Sequence, residues 1–166
     1  MISLIPVSLI VFIDQVSKYL IKSNYLLYQS ESILSSYLKF TYIENPGLAF
    51  GLSVGGLGWL LFLVTLAITI YILIYLIMYD LFQYERVALV FILGGAIGNL
   101  IDRCFTLFGL FGYNGVIDFI DVGIYANSMR WYVFNVADIS VTVGITYYLI
   151  FSYIHQNSGQ IKDEVT

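Results

Sequence analysis

Asp118 and Asp138 are the ionisable residues of this chain best suited to hydrolysis. Two carboxylates held close together cannot both ionise cheaply, so one keeps its proton. The ionised member can then activate a water while the protonated member donates to the carbonyl under attack. Such machinery requires no metal and no other cofactor. Spacing alone leaves a second reading equally open, in which each aspartate caps a helix or pairs with Arg103 or Arg130.

Other hydrolytic schemes fit less well. Ser17 and Lys18 are adjacent, and neighbouring side chains on a helix point ~100° apart, which prevents them from sharing a proton. His155 is the only histidine and Cys104 the only cysteine. A histidine-based triad would therefore have to use a residue at the far end of the last apolar segment. Together the two residues exclude an internal disulfide and every Cys/His zinc pattern. Neither a D-x-D-x-D-G loop nor an HExxH motif is present. Both lone residues read as structural, Cys104 as a small apolar filler and His155 as a polar end to the last segment.

The other polar residues in apolar surroundings form short patterns. Asp14 and Lys18 stand at i and i+4, on one helix face, where each can neutralise the other. Asn99, Asp102 and Arg103 stand at i, i+3 and i+4 and make one polar stripe, read as a hydrogen-bonded clamp between helices. Gly94 and Gly98 just before them have the GxxxG spacing that permits close helix packing. Asn135 and Asp138 open the last apolar segment, and Asp121 follows Asp118 closely. An ionisable group inside a bilayer costs ~2.5–3.5 kcal/mol on insertion scales, so their positions are informative.

The scaffold that must position these groups is apolar. The 166 residues are 60% hydrophobic and 11% charged, with a mean hydropathy of +0.87, far more apolar surface than a soluble domain of this size can bury. Aromatic residues make up 17%, Tyr dominating, which suits rings with their bodies in lipid and polar tips at the headgroups. A net charge of −4 lacks the basic field that nucleic-acid binding needs.

Four segments have the ~20-residue length that crosses a bilayer, residues 2–21, 57–79, 87–106 and 132–154. The second has no charge at all. The first lacks the basic start and the small-x-small cleavage site of a secretory signal, and it is read as a retained helix. The expected fold is an all-α membrane protein in a single domain, four transmembrane helices with a small β element. The short connection Tyr79 to Arg86 makes helices two and three an antiparallel hairpin. The long connections, 22–56 and 107–131, then share the opposite side. In the first of these, Asn45-Pro46-Gly47 fits a type II turn after a stretch rich in aromatic and β-branched residues; the second is expected to hold another short strand. Lys22, Lys39, Arg103 and Arg130 fall on the side of the long connections, and Arg86 and Lys162 on the side of the termini. That distribution runs against the positive-inside rule for cytoplasmic termini.

Taken in order, five blocks resemble the lipoprotein signal peptidase (signal peptidase II) family: Asp14-Gln15-Val16-Ser17-Lys18; Asn45-Pro46-Gly47-Leu48-Ala49-Phe50; GGAIGNLIDR from Gly94 to Arg103; GVIDF from Gly115 to Phe119; and FNVAD from Phe134 to Asp138. The resemblance covers nearly the whole chain. It implies a membrane aspartic endopeptidase that removes signal peptides from bacterial prolipoproteins, cleaving before a cysteine that carries a diacylglyceryl thioether. The implied catalytic pair is Asp118 and Asp138. Asp14, Lys18, Asn45, Gly47, Asn99, Asp102, Arg103 and Asn135 are implied as residues that shape the site and brace that pair. The resemblance further implies location in the bacterial cytoplasmic membrane, cytoplasmic termini and an active site near the outer face. The expected partners are the modified prolipoproteins and membrane lipids, and the chain is expected to act as a monomer. Two positions depart from the family pattern: Tyr132-Val133, where a proline is usual before the FN, and Ile139, where a serine often follows the second aspartate. The runner-up is a small intramembrane proton or ion pathway protein, since buried Asp, Lys and Arg also mark a relay; a third reading is a non-catalytic assembly subunit.

Overall fold

The computed structural model describes residues 4–47, 58–124 and 129–163. Four helices, α1 (Ile5–Asn24), α2 (Gly58–Met78), α3 (Gln83–Leu107) and α4 (Val136–Asp163), accompany four strands, β1 (Ser30–Leu34), β2 (Leu38–Asn45), β3 (Val116–Ile124) and β4 (Met129–Arg130). Pro6 stands in the first turn of α1, where its missing N–H costs nothing. Helix α3 begins earlier than hydropathy predicts because the Glu85 carboxylate accepts a hydrogen bond from the Phe82 N–H at 2.9 Å, which draws the polar residues 83–86 into the helix. Helix α4 begins later. Phe134 is held in an isolated bridge to Ile120, and Asn135 forms the cap.

The molecule has an inverted distribution of polarity. Asp14, Lys18, Asp102 and Asn135 are fully buried, while Phe12, Tyr19, Tyr71 and Tyr153 are more than 60% exposed. Of the α2 residues only Thr69, Ile72 and Leu76 are buried, and its two threonines return their hydroxyls to the carbonyls four residues back. A surface of this kind is made for lipid. Helices α2, α3 and α4 are long and apolar enough to cross a membrane. Helix α1 carries Asp14, Lys18 and Lys22, so length and composition establish three of the four expected spans. The connection 79–82 joins α2 and α3 as an antiparallel hairpin, as expected.

The expected small β element is an antiparallel sheet to which both long connections contribute. Strands β1, β2 and β3 form one antiparallel sheet, and the two-residue β4 pairs with the far end of β3. The two long connections, read separately in sequence, are thus stitched into a single sheet. Their register pairs Ile43 with Asp118, Glu44 with Ile117 and Asn45 with Val116. Facing residues on paired strands share a side of the sheet, so Asn45 and Asp118 emerge on one side while Tyr42, Glu44, Ile117 and Phe119 lie on the other. Ile21 of α1 joins Tyr42, Ile117 and Phe119 in a buried cluster. The turn expected after Asn45 runs into residues outside those described; what is seen of it is a Gly47 N–H donating to Asn45 Oδ1 at 3.0 Å.

Candidate active site

The site is built on a buried charged triad. Lys18 Nζ reaches Asp14 Oδ2 at 2.8 Å, Asp102 Oδ2 at 3.0 Å and Asn99 Oδ1 at 3.0 Å, with Asp14, Lys18 and Asp102 all fully buried. Three ammonium protons therefore meet three acceptors. The i, i+4 pairing of Asp14 and Lys18 holds, and α3 contributes the second carboxylate. Tight approach of the helices makes this possible: a methyl group on Gly98 would collide with the Asp14 carboxylate, and one on Gly95 with the Ala137 carbonyl.

Each carboxylate of the triad also grips a backbone N–H next to one of the two candidate aspartates. Asp14 Oδ1 accepts from Ala137 N at 2.9 Å, one residue before Asp138. Asp102 Oδ2 accepts from Ile117 N at 3.0 Å, one residue before Asp118. The sequence pattern placed Asp102 in a stripe with Asn99 and Arg103, clamping helices together. Asn99 and Asp102 do clamp α3 to its neighbours, and they reach further: Asp102 bonds Lys18 and Gln15 of α1 and the Ile117 N–H of β3, Asn99 bonds Lys18, Asn135 and Asp138, and Arg103 turns toward Gly47 instead. Residues three and four apart share a face, but a face meets several neighbours.

Asn135 joins the two aspartates. Its Nδ2 donates to Asp118 Oδ1 at 2.7 Å, and its backbone N–H donates to Asp138 Oδ2 at 3.1 Å. Asp138 N returns a bond to Asn135 Oδ1 at 2.9 Å, so the pair forms a capping box at the start of α4. The capping reading of Asp138 thus accounts for one of its oxygens. The other, Oδ1, accepts from Asn99 Nδ2 at 2.8 Å. Asp118 Oδ2 accepts from Asn45 Nδ2 at 3.1 Å. Arg130 pairs with Asp121 at 2.7 Å instead of Asp118, and Thr41 donates to the same Asp121 carboxylate.

Burial pushes the Asp118 carboxyl up to about 7, with the neighbouring Asp138 charge adding to it; Asn45, Lys18 and Asn135 oppose the shift. Near neutrality Asp118 is therefore poised between its protonated and ionised forms, burial favouring the proton. Beside it, a cavity of about 290 Å³ is lined by Asn45, Pro46, Trp59, Arg103, Leu107 and Val116. Arg103 lies against its wall with Nη1 3.5 Å from Gly47 O, and its buried Nε has no hydrogen-bond partner among the described residues. All ten residues singled out from sequence thus fall in this one region, with Asn45, Asn99 and Asn135 making direct contact with the two aspartates. No group of His, Cys, Asp and Glu able to hold a metal occurs among the described residues.

Two participants escaped sequence reasoning. Gln15 donates to Asp102 Oδ1 at 3.0 Å and Gly98 O at 3.1 Å, completing the acceptor balance of the triad. Its signal was a further polar residue between Asp14 and Lys18 in an apolar run. Glu44, next to Asn45, is buried. An acid in a stretch rich in aromatic and β-branched residues was the only pointer to it.

The model of the signal peptidase (SPase) II family matches residues 7–154. A lipoprotein signal peptidase of Borrelia hermsii is 36% identical over 95% of this chain and 92% of its own, and one of Moorella thermoacetica is 36% identical over 82% and 83%. A bacterial membrane enzyme solved by the in meso method at 2.3 Å superposes with a TM-score of 0.76 at 29% identity, covering 93% of this chain and 88% of that one. A matched family model spanning most of the chain, relatives above 30% identity along nearly their whole length and a shared fold agree: the chain is a bacterial membrane protein that belongs to the signal peptidase II family.

Proposed function

We propose that this protein removes signal peptides from bacterial prolipoproteins as an aspartic endopeptidase, with Asp118 and Asp138 as its catalytic pair. The observation that carries this reading is the bridge through Asn135, which holds two carboxylates in one polar network while burial brings proton exchange at Asp118 to about pH 7. A water between them would lose a proton to the ionised carboxylate as its oxygen adds to the scissile carbonyl. The protonated carboxyl would donate to the carbonyl oxygen. Collapse of the resulting diol would expel the new amine, which takes its proton from the carboxyl that water had protonated. One diol hydroxyl returns its proton to the other carboxylate as the product carboxyl forms, so the pair ends with one proton as it began. Asn45, Asn99 and Asn135 fix both carboxylates, and Asp14, Lys18 and Asp102 fix the backbone that carries them.

The cut falls before a cysteine bearing a diacylglyceryl thioether. Exposed apolar helix faces beside the pair leave the acyl chains in lipid while the end of the signal helix meets the carboxylates. At ~0.8 kcal/mol per CH₂, what burial in the protein would add is already supplied by the bilayer, so the tail positions substrate more than it tightens binding. Purified protein should cleave a diacylglyceryl-modified prolipoprotein and leave its unmodified form intact, and should do so after exhaustive chelation. Loss of turnover with EDTA, restored by one cation, would replace the carboxylate pair by a metal site.

Because the reactive form carries one proton, kcat/KM should fall as pH rises through about 7, where the Asp118 proton is lost. Rate measurements on the lipidated substrate over roughly two pH units on either side of that value test this; a flat profile across neutrality would contradict it.

Helix α1 serves as the fourth span, its Asp14 and Lys18 hidden from lipid by α3 and α4. The termini lie in the cytoplasm and the sheet on the outer face of the cytoplasmic membrane, the protein acting as a monomer. In a Cys104→Ser background, a cysteine replacing Gln29 should react with an impermeant reagent from outside and one replacing Gln83 should not. The reverse pattern would overturn the orientation. An ion or proton relay would need polar groups through the depth of the bundle, whereas these converge on the pair beside the sheet.

A further inference from the structure

Behind the strand that carries Asn45 lies a second buried network, separate from the Asp14–Lys18–Asp102 triad. Glu44 is 9% exposed. Its Oε1 accepts from Lys22 Nζ at the end of α1 and from the Tyr42 hydroxyl. Its Oε2 accepts from Asn114 N at 2.8 Å and Asn114 Nδ2 at 3.0 Å. Lys22 also donates to Gly112 O at 3.0 Å and stands 4.7 Å from the centre of the Tyr113 ring. Burial pushes the Glu44 carboxyl up, but Lys22, Tyr42 and Asn114 outweigh it and hold it below the ordinary value. This carboxylate thus ties together α1, β2 and the connection that leads from α3 into β3.

Its place in the sheet gives the network a consequence for the active site. Glu44 pairs with Ile117, and Asn45 pairs with Val116. The side of the ribbon away from the aspartates is therefore gripped at Glu44, one residue from the asparagine that donates to Asp118. The α3–β3 connection also closes on this point, since a methyl on Gly115 would collide with the Asn45 backbone. We infer that Glu44 is a positioning residue: anchored by Lys22, Tyr42 and Asn114, it sets the end of β2 so that Asn45 Nδ2 is presented to Asp118. The inference rests on the aspartic reading above.

The sign of a pH shift separates this role from simpler ones. Charged groups acting on Asp118 are Lys18 from α1, Arg103 from α3 and Asp138 from α4. Glu44 is not among its principal perturbers. Losing the Asn45 hydrogen bond disfavours the ionised Asp118, which moves the alkaline limb of kcat/KM upward. Removing a nearby negative charge would move it downward. Lost folding alone would leave it in place.

Glu44→Gln keeps the size of the side chain but presents an amide N–H₂ to one set of donors. Its alkaline limb should rise by about one pH unit, the scale of a lost hydrogen bond to a charged group. The same shift should appear in Asn45→Ala, and adding Glu44→Gln to Asn45→Ala should shift it no further. An unmoved or lowered limb in Glu44→Gln, or a further shift in the double variant, overturns the inference. Should Glu44→Gln fail to accumulate, Asn114→Ala removes one donor to the same carboxylate and should raise the limb by a smaller amount; an unmoved limb there also overturns it. Turnover retained in Asp118→Asn would instead overturn the aspartic reading, so the two failures are distinguishable.

Discussion

Asp118→Asn and Asp138→Asn should each lower turnover of a lipidated prolipoprotein by roughly 10²–10⁴-fold, the range spanned by loss of a positioned acid or base. Asparagine preserves the size of the side chain and can still accept the bond from Asn135 or Asn99, but it cannot exchange a proton. Folding should suffer little in either case. For Asp118 burial raises the carboxyl to about 7 and so disfavours its charged form, and a neutral amide is electrostatically close to the protonated native carboxyl. For Asp138 one oxygen remains to complete the capping box with Asn135. The measurement is initial rate normalised to folded protein, with thermal unfolding in detergent as the control. Retained turnover in either variant would show that another group performs the chemistry.

The largest effect on stability is expected at Lys18. Replacing it with methionine keeps the length of the stem but leaves Asp14 and Asp102 buried and facing each other without their shared cation. Breaking a buried ion pair from one side costs roughly 3–5 kcal/mol, which for a chain of this length corresponds to a fall of roughly 10 °C in unfolding temperature. Asp102→Asn should cost less. The triad then holds one cation and one anion, and the new amide can still accept from Lys18 or Ile117 N. Activity in Asp102→Asn should follow the folded fraction, apart from any loosening of β3 at Ile117. A Lys18→Met protein as stable as the parent would mean that the two carboxylates find other partners or take up a proton at little cost.

Much of the site was legible because lipid leaves few places for charge. In an apolar chain, Asp14, Lys18, Asn99, Asp102, Arg103, Asp118, Asn135 and Asp138 stand out, and their order along the chain matches that of the family. The helices were legible for a related reason. A segment of ~20 residues with almost no charge has few alternatives to spanning, and the short connection at 79–82 leaves α2 and α3 little choice but to lie antiparallel. Boundaries were less legible where one hydrogen bond decides them, as at Glu85 for α3 and Asn135 for α4.

Pairings between distant segments were decided by the tertiary structure. Residue identity and spacing alone determined that this chain is apolar and mostly helical, and they singled out Asp118 and Asp138 while leaving catalysis and helix capping equally open. They left open whether those aspartates meet, because helix periodicity assigns Asp102 a face but not the neighbour that face will touch. Only the folded chain places Asp102 on Ile117, Asp14 on Ala137 and Asn135 between Asp118 and Asp138. Only there do the strands from two separate connections join, which sets Asn45 on the same side of the ribbon as Asp118 and Glu44 on the other. The physical reason is that hydropathy and periodicity are local properties of sequence, whereas desolvation, which puts the Asp118 proton within reach of neutral pH, depends on every segment packed around it.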